Sequence, residues 1–201
     1  EVMRRAVLVA LCAVFASVPL DAQRGRGGGA APPVTARAAA PIDITGYWVS
    51  PTTEDWKYRM VTPKKGVFDA VPLNAEGRKV GESWDPARDE AAGEQCRAYG
   101  APAIMRIPGR LHITWQDDQT MKVETDAGTQ TRLLQFGAAS APGEPSWQGH
   151  ATAQWNIAGP SLKVVTSNLR AGYVRKNGAP YSAKTVVTEY WDLNTMPNGD
   201  R

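Results

Sequence analysis

The first residue that asks for a chemical explanation is Glu189. It lies in the run TVVTEYWD, where its period-two neighbours are Val187 and Trp191. A carboxylate on an apolar strand face loses hydration and needs a cation or a proton. Arg132 poses the complementary problem in QTRLLQF, where it shares parity with Leu134 and Phe136. The two read either as an anchor or acid/base pair inside a cavity, or as a buried structural pair. Asp55 and Arg59, flanking Trp56, form a similar local pair that reads as structural.

The chain has two histidines, His112 and His150, and both open strands on the polar-parity face. His112 shares parity with Thr114 and Gln116, and His150 with Thr152 and Gln154. Were that face to line a lumen, the imidazoles would suit a proton shuttle or a weak metal site. Facing water, they are surface residues, which is the reading the apolar face favours. No HxH, HExxH or CxxC spacing supports a metal, and none is expected. Catalytic candidates are therefore Glu189, Arg132, His112 and His150.

Seven tryptophans exceed what a core of this size needs. Tryptophan lines apolar pockets and sugar platforms, though it also covers cores and sheet edges. Trp48, Trp115, Trp155 and Trp191, with Arg132 and Glu189, form the expected ligand-binding set. A Ser-His-Asp arrangement, a nucleophile elbow, a phosphate-binding loop and a dinucleotide fingerprint are all missing from the sequence. No cofactor is expected.

The elements that must position these residues are strands. The organising stretch is Leu111–Phe136, LHITWQDDQTMKVETDAGTQTRLLQF. It reads as three strands joined by turns at 116–119 and 126–128, the second suiting a positive φ. Trp115 and His112 fall on opposite faces, so both cannot line one lumen. Tryptophan inward is the expected choice. Further strands are expected at IDITGYWVS from Ile42, WKYRMVTP from Trp56, HATAQWNI from His150, LKVVTSNL from Leu162, and Thr185–Asp192. Asn177-Gly178 marks a hairpin-type turn. Residues 72–110 break the pattern with helix starts at Asn74 and Asp85-Pro86, and read as a helical lid. The expected fold is all-β with a small helical insert: an antiparallel up-and-down meander curled into a lipocalin- or calycin-like barrel.

The N-terminus carries Arg4-Arg5, an apolar run from Ala6 to Leu20, and a small residue at Ala22. That is the pattern of an export signal over 1–22, and the run is too short to span ~30 Å of hydrocarbon. Residues 23–41, rich in Gly, Ala, Pro and Arg, read as a disordered tether. The single domain is expected over 42–201. Its end, Met196-Pro197-Asn198-Gly199-Asp200-Arg201, is a turn signal, and the expectation is that at least one closing strand is missing. Signal cleavage removes Cys12 and leaves Cys96 alone, expected buried and inert. The formal net charge of +3 is mild and does not argue for nucleic acid.

Thr45-Gly46-Tyr47-Trp48 resembles the Gly-x-Trp signature of lipocalins, in which the tryptophan plugs the barrel base. More broadly, ITGYWVS, EDWKYRMVTP, GEQCRAYGAPAIMR, LHITW, TDAGTQTR and YVRKNGAPYS resemble an uncharacterised family of secreted bacterial β-rich proteins. That resemblance implies strands continuing beyond Asn198-Gly199 and implies no activity.

The expected function is a secreted or periplasmic module binding a small apolar or aromatic molecule. It does not span the membrane after signal cleavage. One alternative is an enzyme on the same scaffold, with an acid/base and an arginine anchor in the lumen. Another is an envelope protein-interaction module.

Overall fold

The computed structural model describes residues 33–52, 56–138 and 141–199. The chain divides into two units, Glu1–Pro33 and Val34–Arg201. The export signal, most of the tether, and Asp55 with its expected partnership to Arg59 lie outside the described residues.

The domain is built on one seven-stranded sheet, curled into an open half-barrel. Its strands are β1 (Gly46–Val49), β2 (Arg110–Trp115), β3 (Thr120–Thr125), β4 (Gln130–Phe136), β5 (His150–Asn156), β6 (Ser161–Ser167) and β9 (Val187–Asp192). The order is β1-β2-β3-β4-β5-β6-β9, so β1 and β9 are the two edges and do not pair. Between β6 and β9 a short hairpin, β7 (Gly172–Tyr173) with β8 (Pro180–Tyr181), stands apart as a two-stranded sheet. The expected turn at Asn177-Gly178 closes it.

Period-two patterning decides which side is inward. Ile113, Met121, Val123, Leu134, Phe136, Ala151, Ala153, Leu162 and Val164 share the inner face and are all buried. Tyr47, Val49, Leu133 and Tyr190 face out. The β3–β4 connection needs the positive φ expected of it, which Gly128 supplies at 66°. A Cβ there would lie 2.5 Å from the Tyr99 ring, so glycine also lets the helical insert pack against the turn.

Every neighbouring pair in this sheet is antiparallel except β4 and β5, which run parallel, with Leu134 opposite Ala151 and Phe136 opposite Ala153. Parallel neighbours require a crossover of roughly a dozen residues, and residues 137–149 provide it. The simple meander is therefore interrupted once, by a connection that returns the chain to the starting end of β4.

Two further expectations need correcting. Residues 56–60 form a helix, α1 (Trp56–Met60), where a strand was expected. The alternation of Trp56, Tyr58 and Met60 suited a strand, but the segment is only five residues long and pairs with no described strand. The second concerns the tether. Its last part folds onto the domain: Ala36 is buried in the main core, its carbonyl accepts from Trp155 Nε1 at 2.8 Å, and Arg37 N donates to Asp118 O at 3.1 Å.

Residues 72–110 are helical, as the capping residues imply. In α2 (Ala75–Glu82) the N-cap is Asn74, whose Oδ1 accepts from Gly77 N at 2.8 Å. In α3 (Pro86–Ala91) it is Asp85, which accepts from Ala87 N and Arg88 N, with Pro86 in the first turn. A 3₁₀ turn, Gln95–Tyr99, and α4 (Ala101–Ile104) follow. A small second core gathers Ala101, Leu169 and Tyr181, with Val174 and Val187 against it.

Candidate functional site

Arg132 and Glu189 meet. Arg132 Nη1 donates to Glu189 Oε1 at 3.1 Å and Nη2 to Glu189 Oε2 at 2.5 Å, a bidentate pair. Nη2 also reaches Thr166 Oγ1 at 3.3 Å. The arginine side chain is 1% exposed and the glutamate 14%. They stand on β4 and β9, three strand spacings apart, a flat-sheet distance of roughly 14 Å. Two long side chains barely close that gap, and the curl of the sheet shortens it. The intervening inner positions are Ala151 and Ala153 on β5 and, on β6, Thr166 with Val164 directly opposite Glu189.

The histidines are elsewhere. His112 is on the outer face, opposite Tyr47 in the β1–β2 register, with the rings stacked 4.1 Å apart at 3°. Its Nδ1 lies 3.4 Å from Glu124 Oε2. Lys122 Nζ approaches the same oxygen at 3.0 Å and holds the Glu124 carboxyl below its ordinary range, with His112 contributing less. His150 takes the outer parity of β5, beside Thr152 and Gln154. With β2 and β5 three strands apart, the imidazoles neither meet each other nor reach Arg132 and Glu189. The acid/base set imagined for a lumen is therefore split by the sheet, because residues at even and odd spacings leave a strand on opposite sides. Among the described residues no group of three or more His, Cys, Asp or Glu side chains could hold a metal.

The four tryptophans of the expected binding set are inward. Trp115, Phe136 and Trp155 pack at 5.2 to 6.4 Å between ring centroids. Trp48 and Trp191 lie against the same core. Trp48 Nε1 is satisfied by Ile44 O at 2.9 Å. The aromatic rings thus fill the interior of the half-barrel where they were expected to line a lumen.

Space exists at the open end. An open cleft of about 580 Å³ runs between residues 37–45 and the ends of β2 and β3. Its apolar wall is Ile42, Ile44, Trp115 and Met121; Arg37, Asp43, Thr45 and Thr114 supply the polar rim. Asp43 is fixed by Thr45, whose N and Oγ1 donate to its Oδ1 at 2.9 and 2.7 Å. Of the expected binding residues only Trp115 lines this cleft. Residues 72–110 are absent from its walls, and the cover comes from residues 37–45. A smaller cleft of about 130 Å³ lies between Trp48, Leu111 and α4.

Arg37 sits in a segment whose composition reads as tether, and Ile42 and Asp43 were expected in a strand from Ile42, whereas β1 begins only at Gly46. Arg37 is anchored through its backbone amide, which side-chain patterning does not register.

At the seam between the sheet and the helical insert, Trp147 Nε1, Gln148 Oε1 and Tyr181 Oη are buried without a hydrogen-bond partner. Burial pushes the Tyr181 hydroxyl up to about 12, against the opposing pull of Arg97. Cys96 is free and half-buried.

No family model, curated protein or solved structure matches the chain. Among the described residues no helix is long and apolar enough to cross a membrane.

Proposed function

We propose that this is an exported binding module that takes a small ligand with an apolar or aromatic body and an acidic group. The observation that carries the reading is the 580 Å³ cleft with Trp115, Ile42, Ile44 and Met121 on one wall and Arg37 on the rim. Its size falls in the range of about 300–1,000 Å³ of small-molecule sites, and it sets an apolar wall against a polar rim. Arg37 is exposed, so an anion reaching it displaces water without first breaking into the core. Export follows from the charged and apolar N-terminal pattern, and the sheet with its cleft is the part that acts.

An enzymatic reading receives less support. Arg132 and Glu189 engage one another in a bidentate pair on the inner face, with Arg132 Nε left buried without a partner, and the histidines stand on the other face.

The test is a titration with anilinonaphthalene sulfonate, an aromatic anion. The expected result is saturable 1:1 binding with energy transfer from tryptophan, weakened about tenfold or more by Arg37→Glu and abolished by Ala40→Trp, which fills the cleft. Weak, unsaturable binding indifferent to both changes would sink the reading.

A further inference from the structure

The outer edge of β9 carries a self-complementary sequence. β9 pairs with β6 along one side, Leu162 opposite Trp191, Val164 opposite Glu189 and Thr166 opposite Val187. No described strand pairs with its other side. Proteins usually blunt such edges with proline, lysine, a bulge or shortness. The opposite edge of the sheet is blunted: β1 is four residues long, Pro51 lies just beyond it, and Tyr47 is capped by the His112 ring. β9 is six residues long and holds no proline or lysine, and its one inward-pointing charge, Glu189, is neutralised by Arg132. It is VTEYWD, preceded by Val186, and rich in strand formers. Val186 and Tyr190 expose 60% and 65% of their surface on its outer face.

We propose that β9 pairs with β9 of a second copy of this chain, antiparallel about a two-fold axis through Thr188. In an antiparallel ladder, opposed residues point to the same face. A dyad normal to the sheet must therefore set one residue against itself. With Thr188 at the centre, Val186 falls opposite Tyr190 of the second copy, and Tyr190 opposite its Val186. Lys184, in the turn just before the strand, comes opposite Asp192, and Asp192 opposite Lys184. On the inner face Val187 meets Glu189, and Thr185 meets Trp191. The exposed apolar residues cover one another, and each end of the ladder gains an opposite-charge pair. The neighbouring registers lose this match. A dyad at Glu189 opposes two carboxylates, and one at Val187 leaves Asp192 beyond any cation of the strand. The interface is isologous, as a two-fold contact must be, and joins the two half-barrels into one continuous sheet.

The experiment is sedimentation equilibrium of the full-length chain and three variants, with near-UV circular dichroism to confirm folding. The wild type is expected to be a concentration-dependent dimer. Thr188→Lys places two ammonium groups face to face at the dyad, on an exposed side chain, and is expected to be monomeric. Lys184→Asp should weaken the dimer on the order of tenfold, and Lys184→Asp with Asp192→Lys should restore it. A dimer indifferent to Thr188→Lys, or a double swap no better than the single, overturns the proposal. So does a monomeric wild type, including one whose β9 amides resist hydrogen exchange, since the edge is then covered within one chain.

Discussion

Arg132 and Glu189 lie 57 positions apart in the chain and close a bidentate ion pair beneath the inner face, across strands that are not neighbours. The pair ties the middle of the sheet to its edge strand. It lies on the apolar parity of both strands, and the guanidinium, 1% exposed, has no access to water as an alternative partner. Its geometry is eased by the curl of the half-barrel, which shortens the gap the two side chains must span.

Removing one partner should therefore cost far more than removing both. Glu189→Ala leaves a guanidinium buried without its counter-charge and is expected to lower unfolding stability by about 3–5 kcal/mol. Arg132→Met combined with Glu189→Leu should lie within about 1–2 kcal/mol of wild type, because the packed volume survives and no charge is stranded. Urea denaturation of the three proteins measures the difference. Equal losses for single and double variants would contradict the burial argument.

The parallel junction is pinned at Gly149. Its φ is +63°, and a Cβ there would stand 2.3 Å from the carbonyl oxygen of Ser167, a backbone atom that cannot rotate away. Gly149→Ala is expected to cost about 2–3 kcal/mol or more. Gly143, in the same crossover, has open space around it, and Gly143→Ala should change stability by less than about 0.5 kcal/mol. Thermal denaturation followed by far-UV circular dichroism separates the two.

Much of this architecture can be read from period-two patterning. It places Trp115 inward and His112 outward, and it sets Arg132 and Glu189 on the same inner face, which makes them candidate partners. Direction is another matter. A strand with one buried face has the same alternation whether its neighbour is parallel or antiparallel, so the β4–β5 pairing was not visible in QTRLLQF and HATAQWN. The helix over Trp56–Met60 is five residues long, too short for a 3.6-residue period to outvote alternation. Residues 33–41 have little apolar surface, and what holds them is the Ala36 carbonyl and the Arg37 amide. The cleft depends on that segment, which is why most of its lining escaped a reading based on side chains.

Alkaline pH should destabilise the seam between the sheet and the helical insert. The Tyr181 hydroxyl titrates at about 12 when folded, against about 10 when the chain is unfolded. Between those values the folded state holds a proton that the unfolded state has lost, so stability is full below pH ~10 and falls as pH rises towards ~12. Tyr181→Phe also removes a buried hydroxyl without a hydrogen-bond partner. It is expected to match or exceed wild-type stability at neutral pH and to flatten the decline above pH ~10. Urea midpoints across that range, paired with tyrosinate absorbance, test both statements. An unchanged alkaline slope in the variant would assign the loss to other groups.

The central claim is that the cleft between residues 37–45 and β2–β3 holds an apolar anion. Native mass spectrometry of the chain titrated with anilinonaphthalene sulfonate tests it most directly, with Ala40→Trp as the blocked control. The account predicts one bound probe per chain for the wild type and none for Ala40→Trp under the same conditions. Equal occupancy in the two proteins, or none in either, would contradict it.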